Sequence, residues 1–172
     1  MRMNIGLFVR MIAVAMVLGS AAPSHAAEDN ISPPTAFERL ASLAGDWKRE
    51  GKTGDIFQIQ FELIANDSVL VERWLRRGKI RSLTLYHRDQ TDVVATHYCP
   101  QGNQPRMKLR AADGSGLIAF DFWDATNLAT TDDNHQHGLS FDLSDPKRIK
   151  RAAIYLSSAG EEPSELVLER MP

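Results

Sequence analysis

The 172-residue chain has one cysteine and almost no excess of charge, and each scarcity excludes a class of protein. One cysteine cannot form an intrachain disulfide or fill a zinc site made only of cysteines. With 20 Lys and Arg against 22 Asp and Glu, the formal net charge is −2, so we expect no nucleic-acid partner. The composition, 43% hydrophobic and 24% charged, is that of a globular domain rather than a disordered chain.

The sequence also lacks the short motifs that mark common enzymes. It contains no Gly-x-Ser-x-Gly elbow, no His-Glu-x-x-His motif, no phosphate-binding loop and no Cys-x-x-Cys pair. These motifs place a nucleophile, metal ligands or phosphate-binding amides in fixed positions. We therefore expect a binding protein rather than an enzyme, with a small-molecule enzyme as an open alternative.

The first 26 residues have the three parts of a secretory signal peptide. Arg2 and Arg10 are positively charged, residues 11–18 form an apolar run, and Ser24-His25-Ala26 places small residues around a cleavage site after Ala26. The run is shorter than the roughly 20 apolar residues that a membrane-spanning helix needs. We therefore expect a periplasmic or secreted chain without a transmembrane segment after cleavage, in which a disordered lead, 27–34, precedes the domain.

The remaining residues, 35–172, change from a helical period to a period of two. Residues 35–44 carry apolar side chains three apart, which predicts a short amphipathic helix. Later segments, such as 55–64, alternate apolar and polar residues, and about ten of them follow at the spacing typical of antiparallel sheets. The pattern predicts an all-β fold, a single antiparallel up-and-down barrel of about ten strands with a short N-terminal helix. Barrels of this size can hold a small ligand.

Strand alternation places the histidines of this domain and its cysteine on apolar faces. His97 and Cys99 share a face with Val93 and Ala95, and the other three histidines share faces with leucines. We therefore predict that these side chains point into the barrel and orient a small, largely apolar ligand. The set is His87, His97, Cys99, His135 and His137.

Two other interpretations of this set remain open. Residues two apart on a strand point the same way, so His97, Cys99, His135 and His137 have a spacing that can chelate zinc or copper. Alternatively, each histidine is a hydrogen-bonded group near a strand end, in a structural envelope module without a pocket function.

Polar residues beyond the strands extend the candidate set. Asn103 and Arg106 follow Cys99 on a connection with Gly and Pro, where an arginine can anchor a ligand carboxylate. A solvated turn is the alternative. Asp124 is expected to cap a loop by hydrogen bonds to the backbone. The basic run 73–81 is expected to be a solvated turn.

Several stretches resemble one protein family. Leu43-Ala44-Gly45-Asp46-Trp47 resembles the Gly-x-Trp start of lipocalin-like (calycin) barrels, and three later stretches make the similarity more specific. They are Thr96–Cys99 running into Gly102–Met107, Phe120–Asn127, and His135–His137. Together they resemble exported bacterial lipocalin-like proteins that mostly lack an assigned function, which implies a ten-stranded or similar barrel.

Nitrobindin-like haem barrels are a more distant resemblance. Those barrels ligate haem iron through a histidine near the C-terminus, whereas here no histidine follows His137. We therefore do not expect haem. The sequence does not indicate an oligomeric state.

Overall fold

The computed structural model describes residues 35–52, 54 and 56–172. The predicted signal peptide, 1–26, and the lead, 27–34, lie outside the described residues. The described residues form a closed antiparallel barrel of ten strands, in which consecutive strands pair and the first strand pairs with the last. The predicted all-β up-and-down barrel with one short helix is therefore confirmed. None of the described helical residues belongs to a segment long and apolar enough to cross a membrane.

One helix precedes the strands, and the elements follow in chain order. The bounds are α1 Ala36–Ala41, β1 Gly45–Arg49, β2 Phe57–Ile64, β3 Val69–Arg76, β4 Lys79–Asp89, β5 Asp92–Tyr98, β6 Gln104–Ala112, β7 Leu117–Thr126, β8 His135–Asp145, β9 Arg148–Ser157 and β10 Gly160–Arg170. Strands β6 and β7 extend into residues predicted to be loops. In these residues, the backbone N–H and C=O groups are satisfied by pairing with a neighbouring strand. The local sequence pattern does not reveal such pairing.

The helix α1 lies at one end of the barrel. Arg39 on this helix donates a hydrogen bond of 2.5 Å to the carbonyl oxygen of Asp113 in the turn between β6 and β7. The indole Nε1 of Trp47 donates one of 2.8 Å to the carbonyl oxygen of Leu43, just after the helix. Because hairpin turns of an up-and-down barrel alternate between its ends, the turns after β2, β4, β6 and β8 share this end. We call it the helix end and the opposite end the loop end.

The inward side chains are packed more tightly at the helix end than at the loop end. Leu40, Leu43 and Trp47 near the helix end are at most 1% exposed. The inward aromatic side chains at the loop end are only partly buried, and they are Phe57, Trp74, Phe122 and Tyr155. The inward side chains are therefore less completely buried at the loop end than at the helix end.

The buried face of β4 differs from the prediction. Leu83, Leu85 and His87 were expected to face inward, but Thr84 and Tyr86 are the fully buried residues of this strand. The Tyr86 ring lies 5.9 Å from the Phe120 ring and 6.1 Å from the Phe141 ring, measured between centroids. Burying this large ring determines the strand face, and His87 is left half-buried with Nδ1 3.0 Å from the carbonyl oxygen of Arg88.

A candidate ligand site at the loop end

An ion pair is buried inside the barrel. Glu72 on β3 is 0% exposed and Arg151 on β9 is 3% exposed, and Arg151 Nε donates a hydrogen bond of 2.7 Å to Glu72 Oε1. The same oxygen accepts a hydrogen bond of 2.5 Å from the Trp74 indole, and Oε2 accepts one from the Tyr86 hydroxyl. Three donors thus replace the water that the carboxylate loses on burial. We call Glu72, Trp74, Tyr86 and Arg151 the inner network.

The Arg151 guanidinium uses only part of its hydrogen-bonding capacity. Its carbon lies 4.6 Å from the centre of the Trp74 ring and 5.8 Å from that of Phe141. Within the described residues, Nε is the only guanidinium nitrogen of Arg151 that donates a hydrogen bond. The two terminal nitrogens, Nη1 and Nη2, have N–H groups to spare. These N–H groups can donate to a water molecule or to an acceptor of a ligand.

The charges around the inner network cancel at neutral pH. Burial and the neighbouring Glu72 carboxylate raise the pKa of Tyr86 well above its usual value, so its hydroxyl stays protonated. Burial, reinforced by the Arg151 charge, lowers the pKa of His97 to about 4, so this imidazole is neutral at pH 7. Burial raises the pKa of Tyr155 to about 12. The positive charge of Arg151 is thus balanced by Glu72 alone.

His97 lies on the buried face of β5, beside the inner network, and the buried Cys99 directly follows this strand. Nδ1 of His97 is 2.9 Å from Thr84 Oγ1, and its Nε2 is 3.3 Å from the Tyr155 hydroxyl. The Cys99 thiol donates a hydrogen bond to Gln101 Oε1. Burial raises the pKa of this thiol, so it lacks the thiolate character of a reactive cysteine.

His135 and His137 form a separate pair near the start of β8. Nδ1 of the buried His135 is 2.7 Å from the carbonyl oxygen of Asp133, so this nitrogen carries the proton and donates. Its Nε2, 3.2 Å from His137 Nδ1, therefore accepts from His137. The Phe122 ring lies 4.6 Å and 5.1 Å from the two imidazoles. A β-bulge between Gln136 and Gly138 interrupts the predicted alternation here.

Arg106 does not have the free guanidinium that a ligand anchor requires. It donates to both oxygens of Asp124, with 2.6 Å between Nε and Oδ1, and its guanidinium carbon lies 4.5 Å from the centre of the Trp123 ring. Asp124 is therefore a residue of β7 paired across the sheet, and not the loop cap that the sequence suggested. This carboxylate fills the bidentate position that we had assigned to a ligand.

Asn103 is buried near the loop end. Its Nδ2 donates a hydrogen bond of 2.9 Å to the carbonyl oxygen of Asn134. Within the residues that the structure describes, two buried side-chain oxygens have no partner, Asn103 Oδ1 and Gln136 Oε1. Both are acceptors that suit a water molecule or a donor group of a ligand.

The predicted metal ligands do not come together as one group. His97 contacts Thr84 and Tyr155, whereas His135 contacts His137. In the described part of the chain, no group of three or more His, Cys, Asp or Glu side chains is arranged to hold a metal ion. The alternative interpretation, a zinc or copper site at His97, Cys99, His135 and His137, therefore has no geometric support.

Sequence reasoning missed the residues of the inner network. A weak signal was present, because Glu72 alternates with Leu70 and Trp74, and Arg151 alternates with Ile149 and Ala153. Opposite charges at the buried positions of two strands are consistent with an internal ion pair. The signal is weak because Glu and Arg are usually solvated, and the other face of each strand is also partly apolar.

No protein-family model and no curated protein matches this chain. The closed antiparallel barrel of ten strands is compatible with a lipocalin-like fold.

Proposed function

We propose that the chain is an exported lipocalin-like protein that binds a small, largely apolar ligand at the loop end of its barrel. One observation carries the proposal: the buried Arg151 has two terminal nitrogens that donate no hydrogen bond within the described residues. A ligand oxygen would complete their hydrogen bonding. Export by a signal peptide at 1–26, to the periplasm or the exterior, is part of the proposal.

The charge balance favours a ligand with a neutral acceptor, such as a carbonyl oxygen. Glu72 already compensates Arg151, and His97 is neutral at pH 7. An anionic ligand would therefore add a net charge to a buried and otherwise neutral site, which is unfavourable. The half-buried rings of Trp74 and Tyr155 provide apolar surface for the rest of the molecule.

Ligand entry requires side chains at the loop end to move. Cavities of about 570, 320, 320 and 110 Å³ are formed by the described residues, and no residue of the inner network lines any of these four. Trp74 of the inner network and Tyr155, which contacts His97, are inward residues that are only partly buried. We therefore propose that these two side chains move aside when the ligand binds.

A dye titration tests the proposal. Nile red is neutral and carries a carbonyl oxygen, so we expect saturable binding to the wild-type chain and weaker binding of anionic anilinonaphthalene sulfonate. The variant Glu72→Gln/Arg151→Met removes the buried charges together and keeps an acceptor for Tyr86. Since a hydrogen bond to a charged group contributes about 1.5–3 kcal/mol, the Kd for Nile red should rise at least about tenfold.

An exposed ion pair provides the matched control. Arg110 and Asp121 are 3.0 Å apart on the outside of the barrel, and Arg110→Met/Asp121→Asn makes nearly the same chemical change there. This control should bind Nile red as the wild type does. Saturable binding that is unchanged in the Glu72→Gln/Arg151→Met variant would contradict the role of Arg151. No dye binding by the folded wild type would favour the structural alternative.

A further inference from the structure

The hairpin between β3 and β4 concentrates positive charge at the loop end. Residues 73–81 read Arg-Trp-Leu-Arg-Arg-Gly-Lys-Ile-Arg, with five cationic and no acidic residues. Arg73 is bound to Glu62 at 2.5 Å, but the other four side chains are exposed and form no ion pair within the described residues. Those four are Arg76, Arg77, Lys79 and Arg81. Unpaired cations at one place in a chain of formal net charge −2 indicate complementarity to an anionic partner.

The same four cations line one cavity. It has a volume of about 320 Å³, and all of its lining residues are basic. Strand register places Arg76 opposite Lys79 across the hairpin, so the two charges are held close together by the sheet. Like charges held together without a counter-charge repel each other, and an anion between them removes that repulsion. The cavity therefore suits a phosphate group.

The exposed Ile80 lies between two of these cations in the chain, and the exposed Ile56 is bonded to the hairpin through its backbone. Ile80 is 53% exposed and Ile56 is 41% exposed, and the backbone N–H of Arg77 donates a hydrogen bond of 2.8 Å to the carbonyl oxygen of Ile56. Exposed isoleucines beside cations match the boundary between headgroups and acyl chains of a bilayer. Single-stranded nucleic acid would instead call for exposed aromatic rings on which bases stack.

We infer that the β3–β4 hairpin is a docking site for an anionic lipid surface, with a headgroup phosphate held in the basic cavity by Arg76, Arg77, Lys79 and Arg81. Ile80 inserts among the upper acyl carbons. The hairpin lies at the loop end, so the docked barrel turns its proposed ligand site towards the membrane, from which an apolar ligand would come. The inference rests on the hairpin alone and does not require that the barrel binds a ligand.

Vesicle sedimentation of the chain 27–172 tests this inference. Phosphatidylcholine vesicles with about one third phosphatidylglycerol should retain the wild-type protein, and vesicles of phosphatidylcholine alone should not. Each cation near an anionic surface contributes about fivefold to partitioning, so Arg76→Gln/Lys79→Gln should lower the partition coefficient by about 25-fold. Lys147→Gln/Lys150→Gln removes the same charge from exposed residues at the helix end and should have no such effect.

A second variant separates docking on lipid from binding of free phosphate. Ile80→Ser keeps every charge, so it should weaken vesicle binding while leaving the binding of inorganic phosphate, measured by calorimetry, unchanged. Equal retention by both kinds of vesicle, or equal losses in the two double variants, would overturn the inference. Binding of inorganic phosphate without any binding of vesicles would also overturn it and would assign the cavity to free phosphate.

Discussion

The buried ion pair makes a sharp prediction about stability. Replacing Arg151 alone by Met removes the partner of Glu72, a carboxylate that is 0% exposed. Breaking one side of a buried ion pair leaves an uncompensated charge, which destabilises a protein by about 3–5 kcal/mol. We therefore expect Arg151→Met to lower the free energy of unfolding by about that amount. Because a domain of this size has a stability of roughly 5–15 kcal/mol, the variant should still fold.

Removing both charges should have a much smaller effect. Replacement of a whole buried pair by neutral side chains of similar size is often neutral or stabilising. Glu72→Gln/Arg151→Met keeps an oxygen that accepts from the Tyr86 hydroxyl, so we expect its stability to lie within about 1–2 kcal/mol of the wild type. The two variants together separate the cost of an unpaired charge from the contribution of the pair.

Urea unfolding at pH 7, followed by circular dichroism and tryptophan fluorescence, provides the measurement. The exposed pair Arg110–Asp121, whose side chains are 59% and 62% exposed, serves as the reference. Its single variant Arg110→Met should change stability by less than about 1 kcal/mol. An Arg151→Met variant as stable as this reference would refute the claim that an unpaired Glu72 destabilises the barrel. A Glu72→Gln/Arg151→Met variant as unstable as Arg151→Met would refute the claim that the cost comes from an unpaired charge.

Two further predictions concern His97 and Gly116. The pKa of His97 is about 4 in the folded chain and about 6.5 when unfolded, so below about pH 6.5 the unfolded state binds a proton that the folded state excludes. The His97 imidazole should therefore lower the free energy of unfolding by about 2–3 kcal/mol as the pH falls from about 7.5 to 4.5. Urea titrations across this range should show a smaller loss of stability for His97→Gln than for the wild type, and equal losses would contradict the prediction. Gly116 has a φ of +115°, and a Cβ there would lie 2.6 Å from the backbone nitrogen of Ser144. In thermal unfolding, Gly116→Ala should lower the stability of the protein by at least about 2 kcal/mol. Gly114→Ala, whose Cβ meets no atom within 4 Å, should be about as stable as the wild type. Equal effects of the two variants would contradict the claim that the close approach to Ser144 excludes a side chain at Gly116.

The architecture could be predicted because it depends on local pattern. The alternation in 55–64 and the regular spacing of turns indicate half-buried antiparallel strands without knowledge of their partners. The face of β4 could not be predicted in this way, since Leu83 and Leu85 alternate as regularly as Thr84 and Tyr86. Contacts of the Tyr86 ring across the barrel determine that face.

The candidate site depends on pairings that are distant in sequence. Glu72 and Arg151 are 79 residues apart, and closure of the barrel brings them together. The bulge near His137 shifts the period within β8, and the partner of Arg106 is a β7 residue that looked like a loop cap. Sequence pattern gives the direction of single side chains, whereas a site requires the register between strands.

The indole N–H signals of the three tryptophans test the central claim most directly. Trp74 belongs to the inner network, Trp47 is buried at the helix end, and Trp123 is 44% exposed on the outside. In two-dimensional ¹H–¹⁵N spectra recorded during a Nile red titration, we predict a saturable shift of the Trp74 signal and no shift of the other two. Saturable dye binding that shifts Trp47 or Trp123 and leaves Trp74 unchanged would contradict a ligand site at the inner network.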